Sequence, residues 1–299
     1  MSFWESYREC PTDKRFQPVK RDLLPPITIH SEVARAADVP ELTTFLTTYF
    51  GDKDHPVLKP VLKVGDQELI LFIRKSQGIK NIKNIQATIR YKYAGTFEGQ
   101  PIYLIDCFCA KERKTGVASQ LLAALHMKTE QTPCALFLKE GKQVLGQTAL
   151  YTSCYMYRRR KSTTDSCLSL NSEKAYALVN AYRRVYKDFF WLANVDNPNQ
   201  HWRLWKRGSL WSLACFQDSF QEREGQRIGW MTAFIGNTAD GVEALADACP
   251  FPWIWADQCW IREVEQWSLD GPFHWYTYRW TTSLRPAAGL ALGCYGIIV

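Results

Sequence analysis

No stretch of this chain approaches the ~20 consecutive apolar residues that a membrane-spanning helix needs. Residues 1–25 are polar and lack the apolar core of a secretory signal. The tail Ala287–Val299 is apolar but too short to span, and Cys294 stands too far from the end for a prenylation box. These absences lead to the expectation of a cytoplasmic chain with no transmembrane segment. The ten cysteines lack metal-site spacing: Cys107 and Cys109 form one C-x-C pair inside an apolar run, with no second pair to match. They are read as reduced, buried thiols, with no metal expected. A nucleophilic cysteine would need a base, and no histidine is near either one in sequence. The net charge of +7 is spread along the chain, apart from Arg158-Arg159-Arg160-Lys161, a run read as solvated. Nucleic acid is therefore not an expected partner. Nothing points to oligomerisation, and a monomer is expected.

A hydrophobic fraction of 46% and a charged fraction of 22% are those of a globular protein. Twelve Trp, fourteen Tyr and fifteen Phe argue against disorder. The length of 299 residues suits one large domain or two fused ones, and the positive balance suits an anionic ligand.

The most informative stretch is Ile102–Leu125. Ile102–Phe108 is a short, nearly continuous apolar run, as expected of a strand covered on both faces. A basic loop containing Lys111, Arg113, Lys114, Thr115 and Gly116 follows, and then Val117, Leu121, Leu122 and Leu125 recur at helical spacing. A strand, a basic glycine turn and a helix start aim free N–H groups and a positive helix end at one point, which suits a phosphate or pyrophosphate.

Around this centre the pattern predicts an arm over 1–37 with Phe3-Trp4 near its start, and a helix over Val39–Phe50 with Asp38 and Glu41 as a capping box. Strands are predicted at Leu69–Ile73, Ile85–Tyr93, Cys134–Leu138 and Ala149–Tyr157. After a boundary in Arg158–Ser169, helices are predicted at Ser172–Leu192 and at Thr238–Ala248, the latter with Asp240 and Glu243 as a capping box. Strands at Trp211–Phe216, Ile228–Ile235, Trp253–Trp255 and Phe273–Thr282 complete the set. The element order repeats although the residues do not. The expected organisation is an arm over 1–37, a lobe over 38–160 and a lobe over 161–299.

Arg113, Gly116 and Ala118 follow the Arg-x-x-Gly-x-Ala order of the acyl-CoA loop in the GNAT superfamily, where small residues let pyrophosphate approach the backbone. The chain as a whole resembles the N-myristoyltransferase family. Phe3-Trp4-Glu5 is similar to the family's Phe-Trp-Asp, and Leu42–Asp54 is similar to its helix leading into a tyrosine and an acidic loop. Cys107–Ala118 resembles Cys-Val-His-Lys-Lys-Leu-Arg-Ser-Lys-Arg-Leu-Ala, and Cys154–Arg159 resembles Cys-Arg-Tyr-Trp-His-Arg. Asp270–Trp280, followed by Gly289–Leu292, resembles Asp-Gly-Asn-Leu-Gln-Tyr-Tyr-Leu-Tyr-Asn-Trp and Gly-Leu-Val-Leu.

The resemblance implies an α/β (α+β) fold of two tandem GNAT-like lobes with mixed, largely antiparallel sheets about a pseudo-twofold. It implies transfer of a myristoyl group from myristoyl-CoA, a co-substrate, to an N-terminal glycine amine, with no prosthetic group. The first lobe would bind acyl-CoA and the second the peptide. Backbone groups of Ile105 and Asp106 would face the oxyanion, and those of Cys107 and Phe108 the pantetheine. The amides of Arg113, Lys114, Thr115, Gly116, Val117 and Ala118 would hold pyrophosphate, with Phe3 and Trp4 packed over the CoA. Tyr49, Asp52, Asp54, Tyr157 and Tyr276 would meet the peptide, and the Val299 carboxylate would be the base.

This chain differs from the family in running on through Gly293–Val299 and in carrying Asp106 in the oxyanion segment. Asp106 is either a structurally paired carboxylate, a substitute base or a group that repels the oxyanion. Lys53 stands among the loop acids, and Arg158 replaces a histidine. Two rival readings stay open: an acyltransferase with another acyl-CoA or amine, and a degenerate acyl-CoA- or peptide-binding scaffold.

Overall fold

In a computed structural model, the structure describes residues 29–50, 62, 64–66, 68–77, 82–97, 100–112, 115–129, 135–144, 149, 151–161, 167–185 and 200–278. The first half contains β1 (Glu32–Val33), α1 (Val39–Tyr49), β2 (Glu68–Gln77), β3 (Ile82–Phe97), β4 (Gln100–Ala110), α2 (Val117–Lys128), β5 (Ala135–Glu140) and β6 (Tyr151–Arg159). The second half contains β7 (Cys167–Leu170), α3 (Ser172–Val185), β8 (Gln200–Arg207), β9 (Leu210–Arg223), β10 (Gln226–Gly236), α4 (Val242–Asp247), β11 (Trp253–Asp257) and β12 (Ser268–Tyr278). Among the described residues these twelve strands form one sheet, in the order β1-β2-β3-β4-β5-β12-β6-β11-β10-β9-β8-β7.

Each half is built the same way. β2, β3 and β4 are antiparallel neighbours, and α2 then carries the chain to β5, parallel to β4. Likewise β8, β9 and β10 are antiparallel, and α4 leads to β11, parallel to β10. Each half's sixth strand is then exchanged: β12 lies against β5, and β6 lies against β11 and β12. Residue 160 therefore falls just after a strand that pairs only with second-half strands.

Both faces of the first half are covered. Leu121, Leu122 and Leu125 of α2 pack on Leu71, Ile89, Ile105 and Phe137. Leu42, Phe45 and Leu46 of α1 pack on Ile70, Phe72, Ile85, Cys107 and Cys109 from the other side. In the second half, α3 covers Trp202, Leu213 and Ile235, while α4 joins a tryptophan-rich cluster around Trp230, Trp255, Trp260 and Trp275.

Several local expectations are corrected. The capping box on α1 does not form: the Asp38 carboxylate accepts from Arg35 N at 2.8 Å, and Glu41 reaches Arg74 at 2.5 Å. The ion pair with Arg74 outcompetes a cap. The second capping box fails as well, because α4 starts only at Val242, with Gly241 at its N-cap, and Glu243 accepts from the Trp267 indole at 2.9 Å. Among the described residues α3 extends to Val185; residues 186–192 of the expected helix lie outside them. The sequence reading has no strand at β7 or β8, although β8 alternates inward Trp202 and Leu204 with polar residues. Arg158 is not solvated: it is buried, bonded to Asp247 at 2.7 Å and lies over the Trp267 ring, tying β6 to α4. Within the described residues no helix is long and apolar enough to cross a membrane.

Candidate active site

β4 and β5 pair at Tyr103↔Ala135, Leu104↔Leu136 and Ile105↔Phe137, and among the described residues they pair no further. Yet β4 continues to Ala110 and β5 to Glu140. The strands part where β4 bulges. Arg90 faces Asp106 and Thr88 faces Cys109, so β4 carries one residue more than β3. Cys107 takes up the bulge at φ +49°, a left-handed conformation that a non-glycine residue holds only when its surroundings impose it. The extra residue reverses the side-chain alternation. Ile105 faces α2, whereas Cys107 and Cys109 both face α1. The result is a wedge between β4 and β5, with the main-chain edge of Asp106–Ala110 open on the β5 side. An extended, amide-bearing molecule can add there as a strand would.

The chain leaves β4 through Lys111, whose N–H donates to Gln86 O at 2.8 Å, and turns at Thr115-Gly116 into α2. Gly116 is the N-cap at φ +79°, and a Cβ built on it meets nothing within 4 Å. The N-terminus of α2 therefore opens outward with no side-chain cap, and its first N–H groups are available to an anion. Val117 is buried under the turn and Ala118 half-buried. Thr115 is exposed, its hydroxyl donating to Glu112 O at 3.4 Å. Arg113, Lys114, Phe3, Trp4, Asp52, Asp54 and Val299 lie outside the described residues.

A row of charges crosses β2, β3 and β4 beside the bulge. Arg90, 1% exposed, donates from Nε and Nη2 to the two oxygens of Asp106, each at 2.6 Å. Glu68 lies 3.7 Å from Arg90 and 3.9 Å from Lys92. Burial alone would lower the Arg90 pKa, but the carboxylates of Asp106 and Glu68 outweigh it and hold the guanidinium firmly charged. Burial, and then Arg90, lower that of Lys92. Burial pushes the Cys107 thiol far up, and Cys109 up to about 12, so neither is a thiolate nucleophile. Both Asp106 oxygens are committed to Arg90, a partner visible only once β3 and β4 are in register. Ile105 is buried and Phe108 is 37% exposed at the open wedge.

Tyr276 is 1% exposed and stacks on Phe137, the register partner of Ile105, so it lies in the same row of the sheet. Its hydroxyl accepts from Val144 N at 2.8 Å. Tyr157 is not brought to this site. On β6 it stands opposite Trp255 of β11, among the second-half strands, under the Arg223 guanidinium at 3.7 Å. By strand rise and spacing it lies roughly 20 Å or more from the bulge. His274 has both ring nitrogens engaged, by Gly141 O and the Thr152 hydroxyl.

Tyr49 borders a groove of about 440 Å³ between α1 and the strand ends, lined also by Thr44, Phe45, Thr48, Ile85 and Lys111. The Lys111 ammonium lies 5.6 Å from the Tyr49 ring centroid. Of the residues lining this groove the sequence points to Tyr49 alone, because only the fold brings Lys111 beside α1.

No protein-family model matches this chain, and no curated protein matches it. Solved structures do. A Saccharomyces cerevisiae N-myristoyltransferase, determined with bound myristoyl-CoA and inhibitors, matches at a TM-score of 0.59 and 11% identity, covering 93% of this chain and 89% of its own. The fold is a tandem GNAT fold of the N-myristoyltransferase type. A GCN5-related N-acetyltransferase from Kribbella flavida matches at a TM-score of 0.42 and 8% identity over 84% of this chain and 71% of its own. A tandem GNAT protein from the clavulanic acid biosynthesis pathway matches at 0.46 and 7% over 84% and 98%. In the GNAT fold of this chain, the wedge of β4 and β5 and the Gly116 turn are adjoining parts of one candidate site.

Proposed function

We propose that this protein is an acyltransferase that moves an acyl group from an acyl-CoA to an amine. In the specific reading the donor is myristoyl-CoA and the acceptor is the N-terminal glycine of a peptide, handled by a cytoplasmic monomer. One observation carries the reading: an open main-chain edge in the β4–β5 wedge leads directly into an uncapped, outward-facing helix start at Gly116. The pantetheine arm would pair along Cys107 and Phe108, and the pyrophosphate would rest on the amides from Arg113 to Ala118. The acceptor nitrogen attacks the thioester carbon, a C–N bond forms, and the C–S bond breaks. The oxyanion formed on the way is stabilised by fixed backbone N–H groups near Ile105 and Asp106. The thiolate leaves and is protonated to CoA thiol, while the nitrogen gives up its proton to a base. Asp106 is held by Arg90 at both oxygens, which makes it a positioning residue rather than that base. Residues 38–160 would hold the donor, and the lobe over 161–299 the body of the peptide.

The test is isothermal titration with myristoyl-CoA, followed by a transfer assay on a Gly-Asn-Ala peptide. Tight binding with transfer supports the specific reading. A series of shorter acyl-CoAs should then weaken by about 0.8 kcal/mol per methylene lost; a flat series would point to a different donor. The commitment of Asp106 to Arg90 also favours a second reading, a binder that has lost its base, for which the expected result is binding without transfer.

A further inference from the structure

We propose that the groove between α1 and the ends of β3 and β4 receives the first residues of the acceptor, and that Lys111 selects an acceptor with a carboxylate side chain three to five residues from the acylated amine. This rests on the acyl-transfer reading above.

The two faces of the sheet divide the work. The Gly116 turn leads into α2 on one face, so an acyl-CoA anchored there approaches the wedge from the α2 side. α1 covers the opposite face, where the bulge sends Cys107 and Cys109. The groove lies on that second face, with Ile85 and Phe45 as its floor and Thr44, Thr48 and Tyr49 along its wall. An acceptor lying in it would approach the wedge from the side away from the donor.

Among the described residues the charges lining the groove are not balanced. Glu41 lines it, but its carboxylate is held by Arg74 at 2.5 Å. Farther along β3, Arg90 and Lys92 also have carboxylates within 4.0 Å. Among the described residues the Lys111 ammonium has no carboxylate within that distance and faces the Tyr49 ring. Both threonine hydroxyls are turned back on α1, donating to Pro40 O and Thr44 O, so they add no charge. Among the described residues that line the groove, Lys111 is the one cation without a carboxylate partner, and charge complementarity calls for an anionic group. Lys111 is five residues beyond Asp106, and the one-residue bulge at Cys107 shortens that span to about four extended residues, about 13 Å. An extended peptide covers that distance in about four residues, which places the carboxylate near the fourth position.

The experiment uses the full chain and two matched acceptors, Gly-Asn-Ala-Glu-Ala-Ala and Gly-Asn-Ala-Lys-Ala-Ala. Titration with myristoyl-CoA and with shorter acyl-CoAs comes first, and absence of binding to all of them would remove the acyl-transfer reading and this inference together. With binding established, kcat/KM for the Glu peptide should exceed that for the Lys peptide by about three- to tenfold. Lys111→Glu should reverse the preference and leave the myristoyl-CoA Kd unchanged, whereas Lys128→Glu, exposed at the far end of α2, should keep it. If the chain binds donor but does not turn over, the same two peptides are titrated onto protein loaded with a non-reactive thioether analogue, with the same order expected. Equal use of the two peptides would overturn the inference. So would a weaker myristoyl-CoA Kd in Lys111→Glu with equal losses for both peptides, which would assign the groove to the nucleotide.

Discussion

The two halves use the same construction to different ends. In each, a strand pairs in parallel over three residues and then bulges by one. The last paired residues are Ile105 with Phe137 in the first half and Trp230 with Trp255 in the second. The second bulge falls between Met231 and Ala233. This alignment makes Arg90–Asp106 the counterpart of Phe216–Met231: an ion pair in one half, an apolar pair in the other. After β5 the chain leaves through exposed Gly141, Lys142 and Gln143, and the wedge stays open. After β11 it turns through Gln258–Trp260, and buried Trp260 packs on Phe234 of the diverging part of β10. The glycines before the two helices differ in the same sense. A Cβ on Gly116 meets nothing, whereas one on Gly241 would stand 2.7 Å from the Trp205 ring. One wedge stays open among the described residues, and the other is part of the core.

The buried ion pair of Arg90 and Asp106 carries the largest expected effect. Arg90→Met should cost about 3–5 kcal/mol in denaturant unfolding, because it leaves Asp106 without its partner. The double variant Arg90→Phe/Asp106→Met, which copies the second half, should come within about 1 kcal/mol of the parent or above it. A double variant as damaged as the single one would show that the half-to-half alignment is wrong. At the two glycines, Gly241→Ala should lose about 1–3 kcal/mol through overpacking against Trp205. Gly116→Ala should lose about 1 kcal/mol through its left-handed backbone alone, together with a weaker myristoyl-CoA Kd that Gly241→Ala does not show. Thiol labelling sharpens the contrast further. Exposed Cys259 should react in the native protein, while Cys107, Cys109, Cys215 and Cys249, their pKa values raised by burial, should react only on unfolding. The smallest effect belongs to His201, whose pKa burial lowers. The unfolded chain then binds the extra proton first, so stability should fall as pH drops below the ordinary histidine value and level off below the folded one. His201→Gln should flatten that slope in urea midpoints measured between pH 7 and pH 5.

The apolar run of Ile102–Phe108 and the helix after Gly116 were legible in sequence because strand and helix periodicities are local. The tandem plan was legible from element order. The bulge was not: a continuous apolar run reads the same with or without an extra residue, and only the register with β3 reveals Cys107 as the insertion. The fate of Asp106 was hidden for the same reason, since its partner Arg90 is opposite it on another strand. The two capping boxes failed because Glu41 and Glu243 found Arg74 and Trp267, partners remote in sequence. β8 was overlooked although Trp202 and Leu204 alternate with polar residues, because Arg203, Lys206 and Arg207 masked the pattern.

The exchanged strands bear on how the chain comes to be folded at all. Phe137 on β5 waits for Tyr276, and Tyr157 on β6 waits for Trp255. Neither half can close its sheet while the other is unmade, so an emerging chain carries one unsatisfied edge on β5 and two on β6 until β11 and β12 have left the ribosome. Such long-range closure slows folding and leaves those edges open to wrong partners in the meantime. A cell making this protein has reason to shield β5 and β6 during synthesis, and a fragment ending near residue 160 should aggregate rather than fold.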